Sequence, residues 1–373
     1  MTDTAHAKLS ASGAHRWAYC AGSVRAEEGL PDTTSPAAAE GTIAHTLASE
    51  SLLYGNHLLD CHDNIDMAES VRNYTDYCRY IGKGAEVVLI EKRVDFSEWV
   101  PGGFGTADYI AIKDGIAHIV DLKFGRGVRV HAKNNPQGIL YALGVLAGFG
   151  FMHHIDSVAI SIVQPRLDHI DEWSISVTEL RKRGEWLAQR AEEALAENAA
   201  RTAGENQCRF CKAKARCHAL KTLTEETMMI DFDDLSAVAN PDTLTIDHLA
   251  DILSNKALIT GWFDAVEREV RRNIESGQNV VGWKLVDGRA SRRWSDETEA
   301  LNYLVNILGK YEAAVTTKIL SPAQAEKALG KEKRSLLADK IITLRGSPSL
   351  VRSEDPRPAV NASIDDFREV PND

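Results

Sequence analysis

The chain has 373 residues, 44% of them hydrophobic, enough to bury a substantial core and to form two domains, or one domain with a large appendage. A formal net charge of -11 argues against a protein that coats nucleic acid through a general basic surface, although a local basic groove stays open. No run approaches the length of an apolar membrane span and Met1 to Ser12 lacks the apolar centre of a signal peptide, so a soluble cytoplasmic protein with no membrane partner is expected, its six cysteines serving as thiols or metal ligands.

In chain order, Ser12 is placed to cap a short helix that sets Trp17 and Cys20 on one face. The stretch from Ser35 leads into a helix continuing to about Leu53, with His45 on it. Met67, Val71, Tyr74, Cys78 and Ile81 recur at helical spacing over 66–82, and 85–96 reads as a strand. Glu91 on that strand is either an extra site carboxylate or a solvent-facing residue. Cys61 and Cys78 have no close cysteine neighbour and are assigned to structure.

Two apolar runs, 105–112 and 117–123, flank Lys113-Asp114-Gly115, whose Asp-Gly step predicts a hairpin of antiparallel strands. Asp108 lies on the first strand. Asp121 and Lys123 end the second, on the same face by the two-residue period, with Leu122 opposite. Two carboxylates beside an ammonium can hold a hard divalent cation and orient a water or offset phosphate charge; charged residues at a strand end can equally be solvated. Arg126, Arg129, His131 and Lys133 follow closely, as a basic groove or a solvated loop. Pro136 then opens a helix on which Gln137 and Tyr141, four apart, share a face. A strand over 157–164 ends at Pro165, and a long helix spans Thr178 to Asn198. Helices alternating with strands through residue 200 suit an α/β core, a mixed sheet flanked by helices.

Cys208, Cys211 and Cys217 are spaced Cys-x2-Cys-x5-Cys. Three thiols so close imply a metal, either zinc or an iron-sulfur cluster, but the fourth ligand is missing locally, with His218 and Cys20 as candidates. Beyond about Thr222 the character changes. An acidic linker over 228–234 precedes a helical region over Thr245 to Glu275, then a hairpin over Asn279 to Trp294 carrying Arg289, Arg292 and Arg293, two further helices and a polar tail. The expected division is a domain over 1–222 and a mainly helical region over 223–373.

Gly105-x-x-Asp108, Asp121-x-Lys123 and Gln137-x-x-x-Tyr141, in this order, resemble the motifs of the RecB-like branch of the PD-(D/E)XK nuclease superfamily. Gly41 to His45 resembles the Gly-x-x-x-His element of that branch, whose histidine is a metal ligand. The resemblance covers about residues 9 to 220. It implies a PD-(D/E)XK core in which His45, Asp108 and Asp121 bind Mg2+ or Mn2+, Lys123 orients the nucleophile, and Gln137 and Tyr141 position the strand or the lysine. Cys20 before these motifs and Cys208, Cys211 and Cys217 after them resemble the split cysteines of AddB-like and CRISPR-adaptation nucleases, which implies a [4Fe-4S] cluster; zinc is the alternative. The whole layout resembles a phage-encoded family of uncharacterised proteins. The expected function is a metal-dependent DNA nuclease, an exonuclease on single strands or duplex ends, working with phage replication or recombination proteins. The rival readings are a catalytically silent DNA-binding or recombination partner that keeps the fold, and a zinc-stabilised structural protein.

Overall fold

Strand β2 (Phe104–Lys113) turns back into β3 (Ile116–Leu122) through Asp114 and Gly115, both left-handed at φ of +51° and +74°. That conformation at both central residues matches the strands' own twist, which is why the Asp-Gly step was a reliable signal. The computed structural model describes residues 7–31, 36–229, 250 and 252–283. Its chain divides into two compact units, Met1–Val280 and Val281–Asp373, and the first runs on past residue 222, where the sequence changes character. The hairpin expected over Asn279 to Trp294, from residue 284 on, and the helices and tail after it lie outside the described residues.

Five strands lie in the order β1-β2-β3-β4-β5, adding β1 (Val87–Asp95), β4 (Ser157–Gln164) and β5 (His169–Ser176). Only the β3/β4 pair is parallel, so the sheet is mixed, and helix α6 (Pro136–Phe149) makes the crossover between them. Further helices among the described residues, in chain order, include α1 (Ala14–Trp17), α2 (Ser23–Glu27), α3 (Pro36–Tyr54), α4 (His57–Asp60), α5 (Ile65–Gly82), α7 (Val177–Leu195), α8 (Glu205–Arg209), α9 (His218–Met229) and α10 (Lys256–Glu275). Asn64, Asn135 and Ser176 accept hydrogen bonds from the first turns of α5, α6 and α7, which fixes where these helices begin. Ser12 does not cap α1. The helix starts one residue later than that requires, and Ser10 Oγ accepts the Gly13 N–H at 3.2 Å instead. The first part of the expected acidic linker, up to Met229, is the end of α9.

Alternation along the strands makes two cores, one on each face of the sheet. Ile110, Ile119, Ile160 and Ile162 pack under α6 and α7 with Leu140, Leu143 and Leu180. Val71, Tyr74 and Cys78 of α5 pack with Ala44 and Leu47 of α3 against Tyr109, Val120 and Leu122 on the other face. Helix α6 sits very close to the sheet, because a Cβ on Gly138 would come within 2.6 Å of Ile160 Cγ2 and one on Gly144 within 2.9 Å of Val94 Cβ. Cys78 is wholly buried and Cys61 exposed. Strand β5, an edge strand, has no counterpart in the sequence reading, since polar and apolar residues are mixed on both of its faces, with His169 and Asp171 half-buried and Ile170 exposed, and offer no apolar run.

Candidate functional site

Strands β1 and β2 change faces in the middle. Ala107 belongs to the core under α6, yet Tyr109 belongs to the core under α5, and regular alternation would put both on one face. On β1 the same break separates Ile90 from Val94. Glu91 marks the break with a φ of +47°, a conformation costly for a residue with a Cβ and concentrated at functional sites. The flanking pairs Ile90↔Tyr109 and Lys92↔Ala107 set Glu91 opposite Asp108. The β2–β3 ladder stops at Tyr109↔Val120, one step short of Asp108 and Asp121, and Asp108 Oδ2 takes the Leu122 N–H at 2.7 Å in its place. Glu91, Asp108 and Asp121 therefore lie at one level on three neighbouring strands, where the sheet opens.

His45 reaches this level from α3, with Nδ1 3.4 Å from Asp108 Oδ1. One ligand atom from each of His45, Glu91 and Asp108 lies within 4.8 Å of the others. From the opposite helical layer, Gln137 donates through Nε2 to Asp121 Oδ1 at 3.1 Å and to the Tyr141 hydroxyl at 3.2 Å, and its Oε1 accepts from Lys123 Nζ at 2.8 Å. Lys123 Nζ is also 2.8 Å from Asp121 Oδ2. Asp121 is only 2% exposed, so it is no solvated strand end. All seven of His45, Glu91, Asp108, Asp121, Lys123, Gln137 and Tyr141 thus meet in one region.

Glu91 is the exposed member of the group, but the partial desolvation of its carboxyl and the neighbouring Asp108 and Asp121 push it up to about 7. Burial also raises Asp121, with Lys123 pulling the other way and Asp108 adding to the rise. For His45, burial works against the charged ring, but the bond to Asp108 and the charges of Asp108 and Asp121 outweigh it and raise its pKa. Carboxylates crowded until they resist ionisation are a donor set that a cation would relieve. Asp121 Oδ2 is also buried with no aligned hydrogen bond, an acceptor with capacity to spare. The residues fit a hard divalent ion.

The cysteines converge as well. Gly22 N–H donates to Ala200 O at 2.7 Å, Arg25 Nε to Ala196 O at 3.0 Å, and Lys212 N–H to Glu27 Oε1 at 2.7 Å, tying the segment around Cys20 to the chain near Cys208. Thr202 N–H points at Cys20 Sγ from 3.3 Å and Gly204 N–H at Cys208 Sγ from 3.4 Å. Burial raises the thiols of Cys20 and Cys208, and each is raised further by Cys217; burial takes Cys211 up to about 12, with Cys208 among its neighbours. Buried thiols aimed at by backbone N–H groups need a metal to hold them as thiolates, and N–H bonds to sulfur suit a zinc or iron-sulfur site. The four thiols are near enough to feel one another's charge, but no three of the sulfurs come within 4.8 Å of one another.

Of the expected basic loop, Arg126, Arg129, His131 and Lys133 are all exposed, and Arg126 pairs with Asp66. A second, mainly basic surface, absent from the sequence reading, is a cavity of about 530 Å³ lined by Arg201, Lys212, Lys214, Arg216, Arg268 and Arg272 together with Phe210, Cys211 and Glu269, which pairs with Arg216 and Arg272. It forms because α10 packs on α8 and on the turn at Lys214–Arg216. Spacing along a sequence gives no hint of that contact.

Fold and site define an α/β protein with a five-stranded mixed sheet flanked by helices, carrying a carboxylate–histidine group where the sheet opens. Residues 6–358 match DUF2800, described as a protein of unknown function, and the chain belongs to that family. Among solved structures it is similar to one titled "Crystal structure of SSO0001", at 15% identity over 47% of this chain and 81% of that chain, with a TM-score of 0.23. No helix among the described residues is long and apolar enough to cross a membrane.

Proposed function

We propose that the protein is a divalent-metal-dependent DNA nuclease of the PD-(D/E)XK type that hydrolyses phosphodiester bonds, acting as an exonuclease on single strands or duplex ends in phage replication or recombination. The observation that carries this reading is the meeting of His45, Glu91, Asp108, Asp121 and Lys123 where the sheet opens, with residues delivered from both helical layers. A Mg2+ or Mn2+ ion held by His45, Asp108 and Glu91, whose ligand atoms lie within 4.8 Å of one another, with Asp121, the third ligand that the resemblance implies, beside them and bonded to Lys123 and Gln137, would neutralise phosphate charge and make water a better nucleophile.

The chain's own residues supply the rest. An ammonium has three donors; those of Lys123 face Asp121 and Gln137, leaving one for the attacking water or a phosphate oxygen. Gln137 uses both of its amide ends on Asp121, Lys123 and Tyr141, so it positions the lysine and does not contact substrate. The ammonium of Lys123, a donor only, and the acceptor carboxylate of Asp121 fix which way that amide points, and the Tyr141 hydroxyl accepts from its Nε2. The basic cavity beside Phe210, which is 67% exposed, offers phosphate contacts and a ring for a base to stack on, in a chain that is acidic overall.

Cys20, Cys208, Cys211 and Cys217 are assigned to a [4Fe-4S] cluster, with zinc as the alternative. The support is their convergence and the N–H groups aimed at two of the sulfurs. The test of the activity is incubation of purified protein with end-labelled single- and double-stranded DNA in Mg2+, Mn2+ or EDTA. Metal-dependent shortening of the label is expected. DNA binding without cleavage under every condition would replace the enzyme by a silent recombination partner.

A further inference from the structure

A second group with metal-ligand chemistry lies outside the site described above. His131, His169 and Asp171 each offer a ligand atom within 4.8 Å of the others. The two imidazole rings meet edge to face at 6.0 Å, and His131 Nδ1 stands 3.4 Å from Asp171 Oδ2. His169 Nε2 is shut off from solvent with no hydrogen-bond partner. A buried ring nitrogen left so costs free energy that a bound cation would recover.

The group also has a definite place in the fold. Asp121 pairs with Ile162, and Ile162 with Asp171, so Asp171 sits at the level of Asp121 two strands away. Two strand spacings are roughly 10 Å, far beyond the ~4 Å that separates the ions of a two-metal centre, so this is a separate site. His131 belongs to the loop 124–135, which leaves Lys123 and ends at Asn135, the cap of α6 and neighbour of Gln137. That loop is already held by side chains of β4 and β5. Gln164 accepts from Val130 N–H at 2.7 Å and donates to Val128 O at 2.9 Å, while Asp171 Oδ2 accepts from Ala132 N–H at 2.7 Å.

We propose that His131, His169 and Asp171 bind a divalent transition-metal ion, with zinc as the test ion, and that the bound ion fixes the loop joining Lys123 to Gln137. Two imidazoles and one carboxylate favour zinc and its transition-metal neighbours over Mg2+, and water completes the coordination. This does not rest on the nuclease reading, because neither readout below is cleavage.

The experiment is titration of the full chain, dialysed against EDTA with its cysteine site as isolated, with Zn2+ by calorimetry, alongside His131→Ala, His169→Ala and His45→Ala. Hydrogen exchange over 124–135 is followed with and without Zn2+. Wild type should bind one more zinc than either His131→Ala or His169→Ala, or bind it at least about ten-fold more tightly, and His45→Ala should keep that equivalent. Zinc should slow exchange over 124–135 in wild type and not in His131→Ala. The His131 side chain is 72% exposed and lies outside both cores, so its variant stays folded even if His169→Ala does not. Zinc binding by His131→Ala that equals wild type in both stoichiometry and affinity would overturn the site. Uptake that depends on His131 with unchanged exchange over 124–135 would overturn the role assigned to the ion.

Discussion

Replacing Lys123 by Ala removes the only cation facing Asp121 among the ion pairs of the described residues, and the size of the effect follows from burial. Asp121 is 2% exposed, with Lys123 Nζ at 2.8 Å and otherwise only the neutral Gln137 amide at 3.1 Å. Removing one partner of a buried pair costs about 3–5 kcal/mol, because the other charge stays behind without compensation. Water can enter where Lys123 is 28% exposed, and Asp121, already raised by burial, can take up a proton, so the lower end, about 3 kcal/mol, is expected. In a unit of this size that is a fall in Tm of about 6–12 °C. Thermal unfolding in EDTA of wild type, Lys123→Ala, Asp121→Asn and the double variant measures it. Asp121→Asn keeps the shape and removes the charge, so the double variant should recover about 2 kcal/mol of the loss. Every one of these variants should lack nuclease activity. A Lys123→Ala protein within about 0.5 kcal/mol of wild type, well inside the scatter of ordinary surface substitutions, would refute the pairing as described.

Glu91→Gln should weaken Mn2+ binding by at least about ten-fold in a calorimetric titration, whereas Lys123→Ala should spare it, since an ammonium is not a ligand. Gly144→Ala should destabilise the protein by about 1–3 kcal/mol in thermal unfolding, because its Cβ would have to enter the 2.9 Å gap to Val94 and move α6 off β1. Cys20→Ser and Cys211→Ser should lose the same iron or zinc and the same thermal stability, while Cys61→Ser and Cys78→Ser keep their metal content, as read by metal analysis and visible absorbance. Normal metal in Cys20→Ser would break the closure between the two segments.

The central hairpin was legible because its determinants are local: Asp114-Gly115 forces the turn, and the two-residue period then sends Asp121 and Lys123 to the α6 side and Leu122 to the other. The start of α6 was legible for the same reason, as Asn135-Pro136 is a cap followed by a first-turn proline. The face switch at Glu91 was not. A left-handed φ is usually advertised by Gly or Asn, and a glutamate there is held by the surrounding sheet, with nothing in its neighbours' sequence to announce it. His169 and Asp171 were hidden with β5, an edge strand whose faces both mix polar and apolar residues. That His45 meets Asp108 depends on α3 lying across the sheet, a tertiary contact that no spacing encodes.

The cysteine closure and the carboxylate group share a structural element, the N-terminal segment. Leu9, Ala11, Ala14 and Trp17 are buried in the core under α6, and Trp17 Nε1 donates to Ser10 O at 2.9 Å, which makes the segment a rigid wedge. Its Ala11 and the ring of Tyr141 both close on Gly105, where a Cβ would lie 3.4 Å and 2.9 Å from them. His15 completes the link. Its ring stands edge to face on Phe210, between Cys208 and Cys211, at 6.2 Å, while burial pulls its pKa down and the charges of Arg16 and Lys123 pull it further. The residue that touches the cysteine loop therefore also feels the ammonium of Lys123. A group bound by the four cysteines would hold this wedge against Tyr141 and, through Gln137, hold Lys123 against Asp121. Loss of such a group should loosen the lysine without removing any of its partners, so Cys20→Ser should lower the stability gained from the Lys123–Asp121 pair as well as the metal content.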